Sequence, residues 1–233
     1  MERTYQRRFP LTLDARPVRT VVTRSGSMPR GYFPSLKNGR MVEYEQTLEA
    51  DACLLFEMSP LIQAYRQQPE KIWFPDGDRT RLYRPDYELE LFNGKRVLVE
   101  IKPAKRLAKP DIRAKFDRIQ EHMDRTERQF VILTEESVRQ QPRLDNLRTL
   151  RRDMPSRDVE QGHIRTSLRK IIQSGATTLG EVTTLVGQST TFALLTQGYA
   201  ACSLDQRFTT NTSITLCLEP RHDWFFLTQG RGF

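Results

Sequence analysis

The chain has 233 residues, of which 37% are hydrophobic and 28% charged, enough for one large domain or two small ones. A net charge of +8 and an isoelectric point near 9.6 suit a polyanionic partner. Three widely spaced cysteines, Cys53, Cys202 and Cys217, exclude a disulfide framework or a cysteine zinc cluster; the absence of an apolar leader or spanning run predicts a soluble, cytoplasmic protein with three buried thiols.

The charge is uneven. Residues 1–40 hold nine bases against two acids, whereas residues 174–218 hold Arg207 against Glu181 and Asp205. With Pro10, Pro17, Pro29 and Pro34 and little periodicity, residues 1–42 read as a basic arm, equally suited to a solubilising tail or to DNA contact. Residues 43–58 read as a helix, since Leu48, Ala52, Leu55 and Phe56 make one apolar stripe that Ser59-Pro60 ends. Ile62 to Phe74 reads as a strand, Asp76-Gly77-Asp78 as a turn, Arg81 to Leu91 as a second strand, Phe92-Asn93-Gly94 as a hairpin turn, and Lys95 to Lys102 as a third strand. Pro110-Asp111 opens a helix, and Phe130 to Leu133 is a short apolar strand. Residues 134–156 read as a polar, arginine-rich connector. Helices follow at 158–173, 178–186 and 189–198, then short strands. The fold class is therefore α/β: an antiparallel meander joined to a crossover helix, with a second unit behind it.

The chemistry-bearing segment is Arg84-Pro85-Asp86-Tyr87 followed by Val99-Glu100-Ile101-Lys102. On a strand, residues two apart share a face, so Glu100 and Lys102 project together while Val97, Val99 and Ile101 turn to the core. Two carboxylates suit a hard cation such as Mg²⁺, and a neighbouring lysine suits a charged phosphoryl transition state. Asp86 and Glu100 must share a face to share a metal. A two-residue loop at Asn93-Gly94 would set Asp86 opposite Ile101; a three-residue loop, Phe92-Asn93-Gly94, sets it opposite Glu100. The expectation is the three-residue loop with Gly94 left-handed, or a two-residue loop compensated by one bulge. The histidines (His122, His163, His222) show no metal or triad spacing.

These residues resemble the PD-(D/E)xK nucleases and, within them, TnsA-type transposon endonucleases. The matching pieces are Gly31 to Arg40, Tyr44 to Glu49, Tyr65-Arg66-Gln67-Gln68-Pro69, Arg84 to Tyr87 and Val99 to Lys102, about a third of the chain, in the family's order. The resemblance implies a restriction-endonuclease-like core at 43–150 and a winged-helix-like domain at 151–233, with Asp205 to Ile214 as the wing. It implies an acidic cluster of Glu49, Asp86 and Glu100, a ligand from the Ile101 carbonyl, Lys102 as active-site lysine, and Mg²⁺, replaceable by Mn²⁺. Glu45 is a rival for Glu49; Glu43 and Glu57 are expected in solvent. DNA contacts are expected from Arg24, Arg30, Lys37, Arg40, Lys105 and Arg106. The implied function is 5′-strand cleavage at transposon ends in a bacterial cytoplasm, beside a DDE-type transposase (TnsB-like) and an ATPase regulator (TnsC-like). A stand-alone restriction or repair nuclease and a non-catalytic DNA-binding adaptor are the alternatives. Because the helix near 189–198 has no lysine or arginine, the C-terminal half is expected to contact protein rather than DNA, with Trp224-Phe225-Phe226 packed onto it.

DNA affinity should reside in residues 1–173 and fall steeply with added salt as condensed counterions are released. A salt titration of binding checks this: a 174–233 fragment that binds DNA as well as the whole chain would contradict it.

Overall fold

A computed structural model describes residues 30–152, 159–222 and 225. Much of the expected basic arm, including Arg24, lies outside them. Within the part that is described, the arm's end is ordered: β1 (Gly31–Ser35) and β2 (Arg40–Tyr44) form an antiparallel hairpin that turns at Gly39, φ 61°. Helix α1 (Thr47–Met58) therefore starts later than its apolar stripe alone suggested, because residues 40–44 are paired with β1.

The expected long strand after α1 breaks at Gln68, whose φ of 42° leaves the extended region: β3 (Ile62–Gln67) ends just before it, and β4 (Ile72–Asp76) begins beyond Pro69. The next expected strand breaks likewise at Arg84-Pro85-Asp86, giving β5 (Arg79–Tyr83) and β6 (Tyr87–Leu91), since proline cannot donate to a ladder. Strand β7 (Arg96–Ile101) leads through α2 (Ala104–Leu107) and α3 (Pro110–Arg125) into β8 (Gln129–Leu133). The sheet order is β3-β6-β7-β8, antiparallel except for the parallel β7–β8 pair that α3 makes possible; β4–β5 is a separate hairpin.

Both sheet faces are covered. Val97, Val99 and Ile101 pack with Tyr87, Leu89 and α1 in the main core, as the alternation predicts. On the other face Leu98 and Phe130 meet Phe116, Ile119 and Met123 of α3, together with Phe74 and Tyr83 of the β4–β5 hairpin. The expected connector is largely helical: α4 (Glu135–Val138) and α5 (Arg143–Arg152) place Val138, Leu144, Leu147 and Leu150 in the main core. Leucines three residues apart among arginines make an amphipathic helix, a spacing masked by the net polarity of the segment.

The rest of the chain forms α6 (Gln161–Ser174), α7 (Leu179–Val186), α8 (Gln188–Thr196) and the short pair β9 (Ala200–Ala201) and β10 (Thr215–Leu216). Thr178 and Glu181 cap α7 reciprocally. α8 is buried from Thr190 to Thr196, its threonines included, so it is a core helix rather than a contact surface. Asn146 of α5 ties this half to the first, donating to the Leu204 and Gln206 carbonyls and accepting from the Phe208 N–H. Phe225 is buried beneath the Arg143 guanidinium; Trp224 and Phe226 lie outside the described residues. Cys53 and Cys217 are buried, but Cys202 is only half-buried. No helix among the described residues is long and apolar enough to cross a membrane.

Two expectations are corrected around the end of α1. Glu57 is not in solvent: 2% exposed, it accepts hydrogen bonds from Ser35 Oγ, Tyr65 Oη and the Leu36 and Lys37 N–H groups. Lys37 does not face DNA. Its ammonium turns inward, donating to the carbonyls of Phe56 (2.9 Å), Ile62 (2.6 Å) and Ser59, where burial lowers its pKa to about 7 against the opposing pull of Glu57. The carbonyls left over at a helix C-terminus need donors, and a lysine meets that need when a turn delivers it. Lys37→Ala should therefore destabilise the fold by about 3 kcal/mol in urea denaturation, with three acceptors and a buried acid left behind. A neutral effect would contradict this structural role.

Candidate active site

The hairpin between β6 and β7 has the three-residue loop. Leu91 N–H donates to Lys95 O, Gly94 N–H to Leu91 O, and Gly94 sits at φ 79°. Tyr87 pairs with Val99 and Glu88 with Leu98. Continued by one residue, this register sets Asp86 opposite Glu100, and Asp86 Oδ2 accepts the Ile101 N–H at 2.7 Å.

Each acid is held by a different device. Glu49, in the first turn of α1 and 8% exposed, accepts the Glu45 N–H through Oε2 at 2.7 Å. Glu100, 4% exposed, binds Lys102 Nζ through Oε1 (2.6 Å) and accepts the Tyr83 hydroxyl through Oε2 (2.8 Å). The strand thus presents Glu100 and Lys102 on one face, as its alternation predicts. Lys102 Nζ also lies 5.6 Å from the Phe116 ring centroid. The acids line one cleft of about 250 Å³ with Glu43, Glu45 and Gln68. Glu43 is half-buried rather than solvated, and Glu45, the rival, borders the cleft too. Its charge adds to that at Glu49, whereas Glu49 is the acid that joins Asp86 and Glu100 electrostatically.

The electrostatics show a surplus of buried negative charge. Burial pushes the Glu49 carboxyl up to about 7; the Glu45 and Glu100 charges add to the rise, while the Glu45 N–H and Lys102 oppose it. Asp86 is raised well above its ordinary value by burial, then by Glu100 and Glu49, against the Ile101 N–H and Lys102. For Lys102, burial disfavours the ammonium, but Glu100 and Asp86 outweigh it and the pKa rises, so the lysine is cationic at neutral pH. Among the described residues no three His, Cys, Asp or Glu side chains are already drawn into a cation-binding group. The donor chemistry nevertheless suits a hard divalent cation: three carboxylates border one cleft, and the raised proton affinities of Glu49 and Asp86 mark charge that a cation would relieve.

Of the bases expected at DNA, Lys105 and Arg106 stand exposed on α2, three and four residues beyond Lys102. Arg30 and Arg40 are half-buried and already engaged within the protein. Sequence reasoning missed Tyr83 and Lys115. Tyr83 precedes the Pro-Asp step on a different hairpin, and only the folding of β4–β5 over the sheet brings its hydroxyl to Glu100. Lys115 lies on α3, beyond the strand motif in a helix of many charges, and nothing local marks it; its ammonium lies over the Tyr83 and Phe116 rings, and the residue borders the cleft.

The raised Glu49 pKa sets a pH dependence. Between pH about 4.5 and about 7 the folded protein keeps a proton that the unfolded chain has released, so this group's contribution to stability falls as pH rises through that window. Without divalent cations, Glu49→Gln should gain stability relative to the unmodified protein across that range, by on the order of 3 kcal/mol at its upper end. Denaturation midpoints of the two proteins against pH test this, and a difference that does not change with pH would refute it. The chain matches no family model and no curated protein.

Proposed function

We propose that the protein is a Mg²⁺-dependent DNA endonuclease, with a restriction-endonuclease-like core and a winged-helix-like C-terminal half (α6 to β10), and that it serves as the TnsA-like subunit of a heteromeric transposase. The observation that carries the reading is the register of β6 and β7, which turns Asp86 and Glu100 to one face with Lys102 beside them. A solvated hairpin that merely displayed these residue types would have no need to bury Glu100, to give Asp86 a backbone donor, or to bring Glu49 from a separate helix to the same cleft.

In this reading Glu49, Asp86 and Glu100, with the Ile101 carbonyl, hold the cation. The cation, when bound, acidifies water and neutralises charge growing on the scissile phosphate. Lys102, kept protonated by Glu100 and Asp86, stabilises the same charge from the protein side and orients the nucleophile. Lys105 and Arg106, exposed on the short helix that follows, are placed to meet the DNA backbone. The substrate is double-stranded DNA at transposon ends, cut on the 5′ strands; a DDE-type transposase and an ATPase regulator are its partners.

In a partner-complete reaction with Mg²⁺, Asp86→Ala should abolish 5′-strand excision while 3′-end chemistry continues. Persisting 5′ excision would sink the proposal. Lys102→Ala should likewise abolish cleavage yet leave the folded protein and its DNA affinity nearly intact, and Lys102→Arg should not rescue it, because a planar fork replaces a compact ammonium. Specific cleavage by the isolated protein would favour a stand-alone nuclease.

A further inference from the structure

Two glutamines border the acid-lined cleft and play no part in the mechanism above. Gln67 ends β3, is 7% exposed, and pairs with Tyr87 across the sheet. Gln68 follows it at φ 42°, a left-handed conformation that a non-glycine side chain adopts only at an energetic cost. Pro69 narrows the choice for Gln68 further, because the ring crowds the residue before it. The strained turn is tied directly to the site: Gln68 N–H donates to the Asp86 carbonyl at 2.8 Å.

Both residues line the cleft, and in both the amide oxygen is buried without a hydrogen-bond partner. A buried amide acceptor left unpaired is unfavourable by an amount comparable to a lost hydrogen bond, and two at one place imply a missing donor. The surroundings limit what that donor is. Glu43, Glu45, Glu49, Asp86 and Glu100 line the same cleft against two bases, Arg84 and Lys115, so acids outnumber bases there and a cation is favoured. A small divalent cation brings bound waters, whose hydrogens are strong donors. Neutral amide oxygens accept from those waters without adding a further charge to a site whose carboxylates already repel one another.

We propose that Gln67 and Gln68 form the neutral wall of the cation site, accepting hydrogen bonds from water carried by a divalent cation held among Glu49, Asp86 and Glu100. Gln68 is then a positioning residue, and the strain at φ 42° is what aims its amide into the cleft. The inference rests on the metal-dependent reading above.

The test is Mn²⁺ binding to the full chain without DNA, by calorimetry at a pH above the raised Glu49 value of about 7. Gln68→Gly suits the left-handed backbone and keeps the fold while removing the acceptor. It should bind Mn²⁺ about tenfold more weakly, with a cation-free melting temperature equal to or above that of the unmodified protein. Gln67→Leu should weaken binding in the same direction. Gln68→Glu, which retains an oxygen, should bind at least as tightly as the unmodified protein; loss of binding in this variant would show that the amide acts as a donor instead and overturn the proposal. Unchanged affinity in Gln68→Gly and Gln67→Leu, with binding still lost in Asp86→Ala, would overturn the glutamine wall alone. Binding that survives Asp86→Ala would overturn the cation site itself.

Discussion

The candidate site depends on the length of one turn. Side chains on paired strands alternate faces with a period of two, so one residue more or fewer between β6 and β7 moves Glu100 to the face opposite Asp86. Gly94 at φ 79° permits the three-residue loop, and the pairing of Tyr87 with Val99 carries its register to the acids. The C-terminal segment packs against the same turn: the His222 ring stacks on Phe92 at 4.1 Å and its Nδ1 lies 2.9 Å from the Pro60 carbonyl. Residues remote in sequence thus brace the loop that sets the register.

With the register set, the site is a balance between burial and charge. Burial makes Glu49 and Asp86 resist ionisation, and each of the three carboxylates takes a donor of a different kind: a backbone N–H of β7 for Asp86, a backbone N–H before α1 for Glu49, and a hydroxyl with an ammonium for Glu100. These donors lower the cost of charge without removing it. The residual surplus is the physical basis for expecting a cation, and the unpaired amide oxygens of Gln67 and Gln68 deepen the same electronegative cleft.

Glu49 reaches the cleft because α1 is anchored at both ends. At its C-terminus, Glu57 gathers Ser35, Tyr65 and two backbone N–H groups, while the Lys37 ammonium satisfies carbonyls of the last turn and the segment beyond. The β1–β2 hairpin is thereby clamped onto the helix. Along its length Ala52, Cys53 and Phe56 pack against the sheet, with Phe56 edge-on to Tyr65 and Tyr87. Side chains that read as solvated or DNA-facing are in this way fixed structural parts on which the first turn of α1 depends.

Local pattern made much of this legible. The alternation in Val97-Leu98-Val99-Glu100-Ile101-Lys102 determined which side chains share a face, because it depends only on the strand period, and Gly94 made a three-residue loop available through its freedom at positive φ; that this loop forms, rather than a two-residue loop with a bulge, was decided by the structure. What no window of sequence contains is the third dimension. The inward turn of Lys37, the burial of Glu57 and of α8, the hydroxyl that Tyr83 brings from a separate hairpin, and the two glutamines left without donors were decided by tertiary packing, since the energy of a charged or polar side chain is set by whichever distant groups the fold places around it.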